Sequence, residues 1–309
     1  MGSDSIPSKD ASFRLCNVSG CKTELLEVRS DDPQLHVLFI PGNPGVVMYY
    51  KDFVESLYEH MEGRISITAI GHLSHSKEDW ENRRLFSLQE QIDHKIDFIR
   101  EEMQDIKVPL LLIGHSIGSY ICVEMFKRLL QEVRYCIGLY PFLTLNLEST
   151  TQYLIKNISR SLIVSVALSG IVASLGLLPV QTARFVVTKS IGKSWSRAAV
   201  EATCTHLLKY HTMRNVLFMA MTEFQKLKEE PDWTFLRANA GKLAFLFGVD
   251  DHWGTLQMHR EISRQASEIH LSVEREGHTH SFCCTEAGST WVAQHVANLI
   301  KNCEPFMSG

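Results

Sequence analysis

Hydrophobic and polar positions follow two alternating rhythms along most of this chain, and the alternation predicts a sheet wrapped in helices. Residues 1–34 read as a polar tail leading into a strand around Lys22–Val28. Leu35–Ile40 (Leu-His-Val-Leu-Phe-Ile) reads as an apolar strand with β-branched and aromatic side chains. It stops at the turn cluster Pro41-Gly42-Asn43-Pro44-Gly45. Over Tyr49–Met61 apolar residues recur every fourth position, at Phe53, Leu57 and Met61, which predicts a helix. Arg64–Ile70 reads as a strand, and Leu88–Ile106 as a helix with Ile92, Ile96, Ile99 and Met103 in one stripe among charges. A strand over Val108–Ile113, a helix over Ser119–Leu130 and a strand over Tyr135–Tyr140 follow. Strands that alternate with helices in this way argue for a parallel sheet covered on its faces.

The alternation breaks after Pro141. Residues 144–240 read as helical throughout, and strand-like runs return only at Lys242–Gly248 and Ile269–Arg275, with a last helix over Thr290–Lys301. The chain therefore reads as one mostly parallel, doubly wound core built from residues 1–143 and 241–309, with residues 144–240 inserted as a helical cap. Within the cap, Ser161 to Thr182 carries no charge at all. Its length reaches the roughly 20 residues that span a bilayer. A span here would put half of one sheet on each side of a membrane, so two other readings compete. One is the buried core of the cap. The other is an apolar hairpin dipping into one lipid leaflet, with Lys156 and Arg160 on one side and Arg184, Lys189 and Lys193 on the other at headgroup level.

Composition narrows the class. In 309 residues, 45% are apolar and 21% charged, enough for a sizeable core. The net charge of −4 and the absence of a long basic run argue against nucleic acid as a partner. Eight cysteines include no C-x-x-C pair and no zinc spacing. Met1 to Arg14 lacks the apolar segment of a secretory signal, so free thiols are expected and the sequons at Asn17 and Asn157 are expected to stay unused. Ile6 stands where a myristoylation motif wants Ser or Thr.

The chemistry centres on Gly114-His115-Ser116-Ile117-Gly118, a G-x-S-x-G match between an apolar strand and a helix. That is the setting of a nucleophile elbow, in which the turn is so tight that the flanking positions exclude a Cβ. A serine hydroxyl needs a general base, and the base needs an orienting carboxylate. In α/β-hydrolases these follow in the order Ser, Asp or Glu, His, each behind a late strand. Asp250 and Asp251 follow the strand ending at Gly248, and His278 and His280 follow the next one. Asp251 is favoured for standing deeper in its loop, and His280 over His278 by a narrower margin. The oxyanion of an acyl-transfer intermediate needs two donors. The backbone N–H of Ile117 and that of Asn43 are the candidates; Pro44 has none. His72 and His75 have a His-x-x-His spacing without an evident third ligand, so a loop beside the active site is expected there and a metal is not.

These residues also carry a resemblance. The Pro-Gly-Asn-Pro-Gly loop followed by Tyr49-Tyr50, Gly71-His72 with His75, Gln91-Ile92 with His94-Lys95, the Gly-His-Ser-Ile-Gly-Ser-Tyr elbow, Gly248 with Asp251 and Trp253, and His280-Ser281-Phe282 together resemble the lipid droplet-associated hydrolases, members of the α/β-hydrolase superfamily. The resemblance runs from about residue 38 to residue 283. It supports His280, which precedes a small residue and Phe, and Asp251 before Trp253. It implies a serine esterase or lipase acting on neutral lipid or sterol esters, needing no cofactor. Its partner would be the lipid droplet or endoplasmic-reticulum membrane surface, with a cytosolic pool and the insertion as anchor. Two other classes stay open: a membrane-associated protein that keeps the fold with weak or no catalysis, and acyl transfer to an alcohol in place of water.

Overall fold

The computed structural model describes residues 9–190 and 194–302. Ile6, Lys193 and one of the eight cysteines, Cys303, to which sequence expectations attach, lie outside the described residues. The first two strands, β1 (Ser12–Val18) and β2 (Cys21–Val28), form an antiparallel hairpin. Its turn runs through Ser19 and Gly20, both at positive φ, the backbone that lets a two-residue hairpin keep the twist of its strands. Strand β1 lies within the stretch expected to be a polar tail. Phe13 and Leu15 face outward from it, and Arg14 pairs with Glu27 across the hairpin, so β1 has no clean alternation to detect.

The chain then winds β3 (Leu35–Ile40), α1 (Lys51–His60), β4 (Ile65–Ile70), α2 (Leu88–Glu102), β5 (Leu110–His115), α3 (Ile117–Arg128) and β6 (Val133–Leu139). The start of α2 is fixed by a capping box, in which Ser87 and Glu90 each satisfy the other's backbone N–H. Helices α4 (Thr150–Arg160), α5 (Leu162–Leu175), α6 (Val180–Ser190), α7 (Arg197–Ala202), α8 (Tyr210–Lys226) and α9 (Trp233–Ala238) precede the next strand. Strand β7 (Leu243–Gly248), α10 (Leu256–Gln265), β8 (His270–Glu274) and α11 (Glu286–Asn302) complete the order. The sheet order is β1-β2-β4-β3-β5-β6-β7-β8, antiparallel on both sides of β2 and parallel from β4 onward.

Two apolar layers cover the sheet. On one face Ile92, Ile96 and Phe98 of α2 and Ile121 and Phe126 of α3 pack with Leu112 and Phe245. On the other, Phe53 and Leu57 of α1 and Val292 and Val296 of α11 pack with Val37 and Ile113. Strands β3 to β7 are buried on both faces almost throughout, which is why they read as mostly apolar runs, interrupted by His36, Ser66, Thr68 and Arg134.

The uncharged segment forms α5, the turn after it and the start of α6. Its apolar side chains are not the core of the cap. Ile163 is 81% exposed and Ile171 62%, and Leu162, Leu177 and Phe185 are exposed with them. The buried residues of α5 are Ser165 and Ser169. Among the described residues no single helix is long and apolar enough to cross a membrane; α4 and α5 reach that composition only as a pair, bent by 98° at Ser161.

Candidate active site

The elbow is built by close backbone approach. Ser116 has φ 54° and ψ −123°, a strained conformation for a residue with a side chain. A Cβ on Gly114 would come within 2.3 Å of the Gly118 carbonyl oxygen, and one on Gly118 within 2.3 Å of the Ile40 carbonyl oxygen. The turn lifts Ser116 off the end of β5 and starts α3 directly behind it.

Ser116, His280 and Asp251 come together from three separate loops. Ser116 Oγ lies 2.9 Å from His280 Nε2, and His280 Nδ1 lies 2.8 Å from Asp251 Oδ2. A carboxylate only accepts, so Nδ1 carries the ring proton and Nε2 is free to accept from the serine. The other Asp251 oxygen accepts from the backbone N–H of Trp253 at 2.8 Å, which fixes the carboxylate plane. The alternatives stand elsewhere. Asp250 is exposed, and the His278 ring packs near Trp291, 5.7 Å between centroids.

Ile117 is the first residue of α3, where helix geometry leaves N–H groups without an intrahelical acceptor and favours negative charge. Asn43 follows Gly42, whose own N–H donates to the Tyr50 hydroxyl at 3.0 Å. The Asn43 side chain reaches the cap instead: Nδ2 donates to the Val216 carbonyl and to Glu223 Oε1, both at 2.9 Å.

Sequence reasoning missed the supports of this arrangement. His115, the variable residue before the serine, donates from Nε2 to the His280 carbonyl at 2.9 Å, and its Nδ1 accepts from the Tyr50 hydroxyl at 2.7 Å. One neutral ring thus ties the elbow to the His280 loop and, through Tyr50, to the Gly42 loop. Burial holds the His115 pKa well below the usual imidazole value, which keeps that tautomer in place. Nothing in the G-x-S-x-G pattern signals this role. Glu223 had a signal: it falls on the same helical stripe as the buried Asn215 and Met219.

Beneath the Asn43 loop lies a buried basic cluster. The Gly45 N–H donates to His75 Nδ1 at 2.8 Å, and the His72 N–H donates to the Gly45 carbonyl at 3.0 Å. Lys95, fully buried, donates to the Gly71 carbonyl and to Gln91 Oε1, both at 2.9 Å. Burial lowers the pKa of His75 to about 3 and that of Lys95 well below its usual range. The His72–His75 segment therefore braces the loop from behind. Among the described residues no three His, Cys, Asp or Glu side chains gather in a way that could hold a metal.

Ser116 and His280 open into a cavity of about 300 Å³ roofed by the cap. Ile155 and Ile158 of α4, Leu168 of α5 and Leu217, Ala220 and Phe224 of α8 line it. Helix α4 has two apolar sides, because Tyr153 and Leu154 on its other side are exposed.

Comparison with known proteins agrees with this architecture. A family model described as lipid-droplet associated hydrolase matches residues 33–283. Lipid droplet-associated hydrolases from Gallus gallus (30% identical, covering 81% of this chain and 80% of that one) and Dictyostelium discoideum (27%, 91% and 94%) are similar to it. Among solved structures, the haloalkane dehalogenase DbeA from Bradyrhizobium elkani superposes with a TM-score of 0.71 at 16% identity, covering 96% of this chain and 99% of that one. The epoxide hydrolase VrEH1 from Vigna radiata gives 0.69 at 14%, with 96% and 99% covered. The fold is that of the α/β-hydrolases. With the family match spanning the elbow, the Asp251 loop and His280, the chain belongs to the lipid droplet-associated hydrolase family.

Proposed function

We propose that this hydrolase is a serine esterase that cleaves neutral lipid or sterol esters at a lipid droplet surface. The observation that carries the reading is the unbroken hydrogen-bonded chain Ser116–His280–Asp251 opening into an apolar cavity. Ser116 Oγ attacks the acyl carbon while His280 Nε2 takes its proton, and Asp251 stabilises the imidazolium. The N–H groups of Ile117 and Asn43 receive the oxyanion. As the tetrahedral intermediate collapses, His280 returns the proton to the departing alcohol and an acyl-enzyme remains. Water then attacks the acyl carbon with His280 again as base, and the acid leaves. A cavity lined by Ile155, Ile158, Leu168 and Leu217 suits acyl chains or a fused-ring alcohol.

The outward apolar side chains of α5 and α6 support docking on a lipid surface, with Lys156, Arg160, Arg184 and Lys189 near enough in sequence to meet anionic headgroups. The endoplasmic-reticulum membrane offers the same kind of surface. That exposed face also favours a second reading, a lipid-surface protein with little catalysis, and one experiment separates the two. A fluorophosphonate probe is expected to label the wild-type protein and to leave Ser116→Ala unlabelled, and kcat on p-nitrophenyl butyrate is expected to fall by about 10⁶-fold in that variant. Equal labelling of both proteins, or turnover that survives the substitution, sinks the esterase reading.

A further inference from the structure

Glu223 takes no part in the proton relay, yet it stands in the same cavity. It lies on the inner face of α8, 4% exposed, and lines the space shared by Ser116, His280 and Asn43. Its Oε1 accepts from Asn43 Nδ2 at 2.9 Å, while Asn43 Oδ1 is buried with no hydrogen-bond partner. Asn43 is therefore held by its side chain to the cap and by its neighbours in sequence to the loop behind Ser116.

A carboxyl in an apolar cavity is costly to ionise. Among the described residues lining this one there is no Lys or Arg. On α8 itself, Arg214 is given to Ser165 and Lys226 to Glu229. The wall contributed by α4, α5 and the segment after β6 is Ile155, Ile158, Leu168 and Phe142. Among the described residues lining the cavity, the other ring or carboxyl group that titrates is His280, and its Nδ1 is committed to Asp251. Burial pushes the Glu223 carboxyl up to about 8, against a smaller opposing effect of the Asn43 bond. The cavity therefore favours the uncharged acid over the carboxylate.

On the esterase reading given above, we propose that Glu223 is a positioning residue for ester hydrolysis: its carboxyl latches α8 onto the Asn43 amide and fixes the Asn43 main-chain N–H as an oxyanion donor, inside an apolar wall that keeps negative charge away from the tetrahedral intermediate. An ionised Glu223 would hold the amide equally well. What ionisation changes is the field, because a second anion in one low-dielectric cavity opposes the developing oxyanion. The loss falls on the transition state and leaves ground-state binding of an uncharged ester alone, so kcat drops while KM stays.

The test is kcat and KM for p-nitrophenyl butyrate from about pH 6 to about pH 10 in wild type, Glu223→Gln and Glu223→Ala. Wild type is expected to lose about tenfold or more in kcat as the pH rises through the ionisation of Glu223, at steady KM. Glu223→Gln is isosteric, cannot ionise and carries an amide N–H able to serve Asn43 Oδ1. It is expected to keep its neutral-pH kcat within about threefold and to lack the alkaline loss. Glu223→Ala is expected to lose about tenfold to a hundredfold in kcat at every pH, since the Asn43 amide then keeps only its bond to the Val216 carbonyl and its orientation loosens. An alkaline loss in Glu223→Gln equal to that of wild type overturns the proposal, as does a wild-type profile flat to pH 10. Should Glu223→Ala fail to fold, the Gln variant decides alone. Failure of the esterase reading is recognised separately, by fluorophosphonate labelling that survives Ser116→Ala.

Discussion

The guanidinium of Arg214 on α8 donates to the hydroxyl of Ser165 on α5, so the polar side of α5 is the one that faces the protein. One turn further on, the Ser169 hydroxyl donates to the Ser165 carbonyl at 2.7 Å. Ser165 is 3% exposed and Ser169 fully buried, while Leu162, Ile163, Val164, Val166 and Ile171 are turned outward and Leu168 reaches the cavity. A helix that contacts water arranges its residues the other way round. Ser165, Ser169 and Arg214 give α5 an inner surface that satisfies its own polar groups and leave the outer one apolar and exposed, as the proposed docking on lipid requires.

The triple variant Ile163→Ser, Ile171→Ser, Leu177→Ser tests that orientation. Each side chain buried in lipid contributes about 1.5–3 kcal/mol, so binding to phospholipid-coated triacylglycerol droplets should weaken at least about tenfold. Hydrolysis of a short soluble ester should be unchanged. Flotation with purified droplets reads the first and kcat the second. Undiminished flotation removes α5 as the docking element.

Asp251→Asn leaves a residue of the same size beside His280 and Trp253. With no carboxylate to accept from Nδ1, the imidazole loses the tautomer that lets Nε2 accept from Ser116. A fall of about 10⁴-fold in kcat is expected, with the circular dichroism spectrum intact. A fall of less than about tenfold would remove Asp251 from the relay.

Glycine substitutions should separate by what a Cβ meets. Gly118→Ala drives its methyl into the Ile40 and Pro41 carbonyl oxygens, both main chain, and is expected to cost about 1–3 kcal/mol and to abolish activity. A Cβ on Gly170 in α5 meets nothing within 4 Å. Gly170→Ala should stabilise the helix by about 0.5–1 kcal/mol. Urea unfolding of both variants checks the pair, and equal midpoints would contradict the close approach at the elbow.

Stability should fall on mild acidification. Burial lowers the pKa of His36 to about 4, of His75 to about 3 and of His94 to about 2. In the unfolded chain these rings protonate near the usual imidazole value, while in the native protein they stay neutral. Each contribution is thus complete above about pH 6.5 and is lost as pH falls toward the native value. The Tm is expected to decline between about pH 6.5 and about pH 4, and His36→Gln should flatten that slope. A Tm constant over this range would contradict the buried neutral state of these rings.

The legible parts of the molecule were those that a local rule fixes. Strands β3 to β7 are buried on both faces almost throughout and read as mostly apolar runs, and the elbow declares itself because Gly114 and Gly118 cannot be replaced within one turn. The pairs Asp250/Asp251 and His278/His280 were harder. Loop residues one or two positions apart obey no periodicity, and only the distances to Ser116 and to each other tell them apart. Strand β1 escaped because Phe13 and Leu15 face water while Arg14 bonds across the hairpin, an edge without alternation. The orientation of α5 was out of reach for a related reason. A helix apolar on nearly every position has no stripe to orient it, and the two serines that do orient it look, in sequence, like minor interruptions. The bonds of His115 and Tyr50 to distant loops leave no trace in the chain at all.

Helix α4 offers Ile155 and Ile158 to the cavity and Tyr153 and Leu154 to the outside, so a single helix diameter, about 10 Å, separates the medium beyond the protein from the chamber holding Ser116. On the proposed lipid-ester reading, an oil phase touching that wall would stand one helix away from the serine. Supply of substrate would then follow how densely it populates the interface, so that molecules per unit area would be its natural measure and bulk molarity would matter little.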